Sequence, residues 1–255
     1  MKTLVLQSHR NPLPFAWLEP CVDSVKHWSD LNAFDYRFLD DELFAVINNR
    51  LRLKFSAQMV ILTDLARLLW IRQFLQQGYH TVVWFDADFV VFNESKLQLP
   101  DTNYALGREV WVQKDKNNKL RAYIKVHNAF LLFRKGNVFL DFYIETANRL
   151  LDLNEGNVPP QFIGPKLLTA LHNIAHCPVM ETAGMLSPLV ITDILNGEGK
   201  ALELFSKASF EPLYAANLGA SVVSNEGLTE EDMLRLTELL RRKQNPLSRY
   251  LYHSD

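Results

Sequence analysis

The chain opens on an apolar run from Thr3 to Gln7, which predicts a buried first strand. Asn11, Pro12 and Pro14 mark a loop after it. From Trp17 to Trp28 the residues Leu18, Cys21, Val22, Val25 and Trp28 recur at helical spacing. Asp35 to Leu39 predicts a short strand, and Asp40 and Asp41 suit a helix start, where carboxylates meet the positive end of the helix dipole. Helical patterning covers Leu43 to Leu53 and then about Gln58 to Gln76, with Gly78 as a left-handed cap. Thr81 to Phe85 is continuously apolar, as expected of a central strand covered on both faces. It stops at Asp86-Ala87-Asp88, and Phe89 to Phe92 is apolar again. Strand, helix, strand, helix, helix, strand is the order of an α/β fold with a mostly parallel sheet flanked by helices. In such sheets ligands bind beyond the carboxyl ends of the strands, and Asp86 and Asp88 lie at such an end.

Further on, Tyr104 to Val112 predicts a strand, Asp115 to Lys119 a polar turn, Asn128 to Phe133 a strand and Val138 to Leu153 a helix. Gly156 to Pro160 is a loop, and Phe162 to His172 is helical, with Gly164-Pro165 in its first turn. Residues 176–226 show no decisive period. Thr229 to Arg242 is a clear helix, with Thr229 and Asp232 forming a capping box. Neither an internal repeat nor a linker divides the 255 residues, so a single domain is expected.

Composition narrows the function. Hydrophobic residues make up 48% of the chain, enough for a sizeable core. A net charge of −2 argues against a nucleic-acid partner. Arg241, Arg242 and Lys243 form one basic cluster, which reads as the charged end of a helix. Cys21 and Cys177 are too few for a disulfide framework, and a reduced, cytoplasmic protein is expected. The N-terminal apolar run is too short for a signal sequence. The most apolar stretch, Met59 to Leu75, carries Asp64, Arg67 and Arg72, which argues against a membrane span.

Two motifs carry chemistry. In Asp86-Ala87-Asp88 two carboxylates flank one small residue, so both reach a single hard cation, Mg²⁺ or Mn²⁺. Such an ion holds a diphosphate and stabilises it as a leaving group. In Thr63-Asp64-Leu65-Ala66-Arg67 the acid and the base share a helix face. On a surface they would be an ordinary ion pair; inside this apolar helix they need buried partners.

Thr-Asp-x-x-Arg, then helix, glycine, apolar strand and Asp-x-Asp, resembles the DXD-type sugar transferases. These include yeast-type initiating mannosyltransferases, bacterial capsular-sugar transferases and glucosylating clostridial toxins. The resemblance extends to Leu4–Gln7, Pro12–Pro14, Ser24–Trp28 and Tyr36–Asp40 upstream, and to His127-Asn128-Ala129-Phe130, Lys135-Gly136 and Gly164-Pro165 downstream. It covers about residues 1–172. It implies a GT-A fold and a metal-dependent hexosyl transfer, with retention, from a nucleoside diphosphate sugar to a glycan or other hydroxyl acceptor. Within the single domain, about residues 1–135 are expected to form the nucleotide-sugar-binding half and about 136–255 the acceptor-side half and C-terminal helix. By position, Asp64 and Arg67 contact the donor sugar, Asp86 the sugar or ribose and the metal, and Asp88 is the main metal ligand. Gln7 and Ser8 lie near the base, and Asn128 lines the donor pocket. Relatives supply a further metal ligand from the C-terminal part. The candidates here are Asn217 and His253, neither a clear match to that pattern.

Two other readings stand beside this one. Phe85 to Val90 also fits the opening of haloacid-dehalogenase-type phosphatases, with Asp86 as nucleophile and Asp88 as acid/base. A degenerate transferase that only binds a sugar nucleotide is the third.

Overall fold

The structure, a computed structural model, describes residues 1–223, 227–242 and 245–247, and for 222 and 223 the backbone alone. The first half alternates β1 (Thr3–Ser8), α1 (Leu18–Leu31), β2 (Asp35–Leu39), a 3₁₀ turn (Asp41–Val46), α2 (Asn49–Lys54), α3 (Met59–Gln76) and β3 (Thr81–Phe85). β1 lies between β2 and β3 and runs parallel to both. After β4 (Phe89–Val91), β5 (Tyr104–Lys114) and β6 (Leu120–Arg134) form an antiparallel pair, and β6 also pairs antiparallel with β3. α4 (Val138–Leu153) and α5 (Pro165–Ala175) follow, and β7 (Val179–Met180) closes the sheet beside β5. Among the described residues this gives six strands in the order β2-β1-β3-β6-β5-β7, with β6 alone running against the rest.

β3 is apolar on both faces because both are covered. Val82 and Trp84 join the core on the α3 side. Val83 and Phe85 join the opposite core, where Trp28 of α1 meets the Phe85 ring edge-on at 5.6 Å. α3 is buried around most of its circumference, which is how a helix without one apolar stripe is accommodated. That burial carries Asp64 and Arg67 into the interior.

β4 leaves the main sheet directly after the Asp-Ala-Asp turn. It pairs antiparallel with β9 (Ala215–Asn217), which pairs parallel with β8 (Ala183–Met185). α6 (Pro188–Asn196), α7 (Lys200–Ala208), the short α8 (Ala220–Val223) and α9 (Glu230–Leu240) complete this side. The stretch that lacks a clear sequence period thus holds short elements, of which β7 and β9 pair with β5 and β4 elsewhere in the chain. Thr229 and Asp232 do form the capping box of α9. Both cysteines are free and buried. Among the described residues no helix is long and apolar enough to cross a membrane.

Two sequence expectations need correction. Leu43 to Leu53 is not one helix: the 3₁₀ turn ends at Val46, Ile47 is extended, and Asn48 starts α2 by accepting from Leu51 N–H at 2.9 Å. The capping bond competes with helix continuation and wins. β6 begins at Leu120 rather than Asn128, because its first half is a two-stranded ribbon with exposed polar positions. Lys243 lies outside the described residues.

α1 and β4 are tied by one buried hydroxyl. Ser24 Oγ donates to Cys21 O at 2.7 Å and accepts from Val91 N–H at 2.9 Å. Ser24→Ala leaves that amide without a partner in the interior. The expected loss is about 1–3 kcal/mol in urea unfolding; an unchanged midpoint would show that this bond contributes nothing.

Candidate functional site

The site is built where β3 ends. Asp86 N–H donates to Ala129 O of β6 at 2.8 Å, which fixes the turn against the neighbouring strand. Asp86 Oδ1 accepts from Trp84 Nε1 at 2.7 Å and lies 3.0 Å from Arg67 Nη1. Arg67 Nη1 also donates to Asn128 O at 2.7 Å, and Nη2 lies 3.4 Å from Asp64 Oδ1. The guanidinium rests 5.3 Å from the centre of the Trp84 ring. Asp64 Oδ1 accepts from Asn128 Nδ2 at 2.8 Å. The side chains of Arg67 and Asp64 are 6% and 5% exposed, against 29% for Asp86. Burial works against the Arg67 charge, but Asp86 and Asp64 outweigh it and hold the guanidinium ionised. Burial also raises Asp64, against the pull of Arg67 and Asn128.

Gly164, which precedes α5, makes this packing possible. A Cβ there would lie 2.6 Å from Asp64 Oδ2 and 2.8 Å from Asn128 Nδ2, so any side chain would displace the pair. Asp64 Oδ2 is itself buried and without a hydrogen-bond partner.

Asp88 is held from the far end of the chain. Its Oδ1 accepts from Asn217 Nδ2 at 2.5 Å, and its Oδ2 from Ala220 N–H at 2.7 Å. Asn217 Oδ1 accepts from Gly219 N–H at 2.9 Å, which orients the amide with its N–H toward Asp88. Burial first, and then the charge of Asp86, push Asp88 up to about 6.

A cavity of about 380 Å³ opens over these groups. Ser8, His9, Arg67, Asp86 and Asp88 line its polar side, and Phe15 lines its apolar side. Four sequence candidates therefore face one space. The others stand behind them. Gln7 is fully buried, donating to Asp86 O at 3.1 Å and accepting from the Tyr36 hydroxyl at 3.0 Å. Asp64 and Asn128 support Arg67, and Asn217 supports Asp88. His253 lies outside the described residues. His9 and Phe15 were not singled out in the sequence. The strand-end rule that finds Ser8 applies to His9 one position later. The Ser8 hydroxyl and His9 Nδ1 are buried beside the cavity without a protein partner.

No protein-family profile matches the sequence. No curated protein matches it either. Solved structures do share its architecture. A glycosyltransferase involved in the glycosylation of the major capsid of PBCV-1 superposes with a TM-score of 0.50 at 12% identity, over 93% of this chain and 100% of that one. The galactosyltransferase LgtC, in complex with donor and acceptor sugar analogs, gives 0.47 at 11% identity, over 97% of this chain and 100% of that one. Mouse xyloside xylosyltransferase 1 gives 0.40 at 10% identity, over 86% of this chain and 98% of that one. The fold is of the GT-A type.

Within this GT-A fold the donor set suits a hard cation. Asp86 Oδ1 is committed to Trp84 and Arg67, while its Oδ2 accepts no hydrogen bond among the described residues. Asp88 adds a second carboxylate whose charge Arg67 does not touch. The pair thus leaves negative charge facing the cavity, and carboxylate oxygens are the ligands Mg²⁺ and Mn²⁺ take. Among the described residues no cluster of three or more His, Cys, Asp or Glu surrounds the position.

Arg67→Ala is expected to cost about 3–5 kcal/mol, since it leaves Asp64 buried and uncompensated and frees the Asn128 carbonyl. Denaturant unfolding measures this. A loss below about 0.5 kcal/mol, the size of an ordinary surface change, would rule out a structural role for the pair.

Proposed function

We propose that the chain transfers a sugar from a nucleoside diphosphate sugar to a hydroxyl acceptor, assisted by Mn²⁺ or Mg²⁺ held at Asp86 and Asp88. One observation carries the reading: two carboxylates at the end of a central strand face a cavity with uncompensated charge between them. Asp86 and Asp88 would hold a divalent ion, which would supply charge neutralisation for the diphosphate leaving group.

The chain's own residues bind and orient. Arg67, held by Asp64, Asp86, the Asn128 carbonyl and the Trp84 ring, presents a cationic edge to the donor. Asp86 is aimed by Trp84 and Arg67, with one oxygen left toward the cavity. Asn217 and the Ala220 amide hold both oxygens of Asp88 and set its direction. The Ser8 hydroxyl and His9 Nδ1 are polar groups awaiting a partner, and the base or ribose of a donor supplies one. Phe15 gives that part of the cavity an apolar wall. A positively charged, oxocarbenium-like transition state is favoured here mainly by positioning and leaving-group stabilisation. Retention of anomeric configuration is part of the proposal, as is hexosyl transfer to a glycan or similar acceptor. A phosphatase reading has less support: among the described residues no lysine lines the cavity, and Asp86 Oδ1 is tied to two donors.

Titration calorimetry with uridine and guanosine diphosphates, with and without Mn²⁺, tests the donor site. Asp88→Asn is expected to abolish the Mn²⁺-dependent part of binding while circular dichroism stays native. Undiminished Mn²⁺-dependent affinity would reject Asp88 as a ligand. Proton NMR of a transfer product reads its configuration, and an inverted product would reject retention while sparing the metal site.

The raised pKa of Asp88 adds a pH dependence. The folded chain keeps this proton up to about 6, whereas the unfolded chain releases it near the ordinary value of 3.8. Metal-free stability should therefore fall as pH rises through that interval. A cation needs the ionised form, so Mn²⁺ should raise the melting temperature strongly at pH 7.5 and weakly at pH 5. An equal shift at both values would show that Asp88 does not titrate with binding.

A further inference from the structure

The ribbon formed by the first half of β6 and the second half of β5 has a chemistry that the donor site does not use. β6 runs antiparallel to β3, so residues 120–127 project past the carboxyl end of β3, on the side of Asp86. Register shifts at a bulge between Leu106 and Gly107, and beyond it the two strands pair without interruption to Lys114 and Leu120. Residues 107–127 hold six cations and two acids in a chain whose net charge is −2. Lys114, Lys116, Lys119, Arg121 and Lys125 are all exposed. Glu109 is mostly buried and lies 3.9 Å from Lys125; Asp115 is tied to Arg121 and to the turn amides of Asn117 and Lys119. The solvent-facing charge of the ribbon is therefore almost wholly positive.

Its two faces differ. Val110 and Val112 are buried in the core that α6, α7 and α9 share. Alternation places Glu109, Trp111 and Gln113 on the opposite face. Their register partners on that face are Lys125, Tyr123 and Arg121. Trp111 and Tyr123 thus lie directly across from each other, both partly exposed, with Arg121 and Lys125 on either side. The other four tryptophans, Trp17, Trp28, Trp70 and Trp84, are buried. An indole left partly in water beside a phenol and two cations offers flat apolar area together with charge. Arginine beside such a surface suits a carboxylate or phosphate in particular.

We infer that this ribbon face binds an acidic glycan, the sugar rings lying on Trp111 and Tyr123 and their anionic groups meeting Arg121 and Lys125. The inference rests on the proposed transferase reading, for which it names the acceptor class. Tyr123 is five residues from Asn128 on the same strand, about 17 Å, so a glycan of several units could span from the ribbon to the cavity. A membrane surface fits less well. The ribbon tip, Asp115-Lys116-Asn117-Asn118-Lys119, is wholly polar, and the aromatic pair is set back from it on a strand face.

The test uses the whole chain without donor. Acrylamide quenching of tryptophan fluorescence reports mainly on Trp111, because the other indoles are buried. Polygalacturonate is expected to protect this fluorescence, with affinity that falls as salt is added, and dextran to have no effect. Arg121→Glu with Lys125→Glu should weaken polygalacturonate binding about tenfold or more, the scale of a lost charge-assisted contact. Nucleotide binding should be unchanged in this variant. Trp111→Phe should remove the fluorescence response. Equal protection by dextran, protection only by phosphatidylglycerol vesicles, no protection by any of them, or a response that persists in Trp111→Phe would each overturn the proposal. Failure of nucleoside diphosphates to bind the unaltered protein would instead strike the donor reading, and is measured separately.

Discussion

A buried guanidinium organises this protein. Arg67 comes from the middle of α3, Asp86 from the end of β3 and the Asn128 carbonyl from β6, and all three converge on one planar group stacked over Trp84. A cation so far from water is tolerable only with its charge balanced; here Nη1 and Nη2 are partnered, while the buried Nε has no hydrogen-bond partner among the described residues. Asp64 supplies the balance from one side and Asp86 from the other. The position of α3 against the sheet, the direction of Asp86 and the absence of a side chain at Gly164 are all conditions of that arrangement. The carboxylate edge of the cavity is thus an outgrowth of an interior ion network.

The same strand that closes the network leads out of the domain. Ala129 fixes Asp86, Asn128 fixes Arg67, and immediately before them the chain leaves the sheet core as a ribbon. The bulge at Gly107 brings the His127 ring so near that a Cβ at Gly107 would lie 2.2 Å from it. The His127 ring therefore packs on Gly107 where the ribbon meets the sheet.

The parts of this structure that were legible in the sequence are those with dense local signals. The strand Thr81 to Phe85, the acids after it and the capped C-terminal helix carry their own pattern, and α3 is long enough to be unmistakable. The first half of β6 escaped notice because an exposed ribbon alternates charged and apolar residues without a continuous run. The small sheet is hard to read from sequence because its strands are three residues each and β4 pairs with β9 across more than a hundred positions. Side-chain roles were harder still. Gln7 at a strand end looks the same in sequence whether it faces a ligand or, as here, turns inward to Tyr36 and Asp86. Asp64 and Arg67 were correctly legible as a pair, but their depth was set by neighbours that only the fold brings together. His9 shows the converse: an unremarkable loop residue acquires meaning from the cavity beside it.

The clamp on Asp88 has a consequence for how the protein comes into being. Asn217 reaches back 129 residues to hold one carboxylate oxygen, and the Ala220 amide holds the other. The two ends of that contact are made far apart in time on the ribosome. A nascent chain can pair β1, β2 and β3 and bury Arg67 well before residue 217 emerges, yet its Asp88 has no donors and β4 has no partner strand. The first strands can therefore reach near-native form before Asp88 is held, and that edge of the cavity is completed only when Asn217 and Ala220 dock. Long-range closure of this kind is slow to form. It also means that a chain ending before Asn217 loses both donors that hold Asp88, together with Leu218, Met233, Leu236 and Leu240 of the second core.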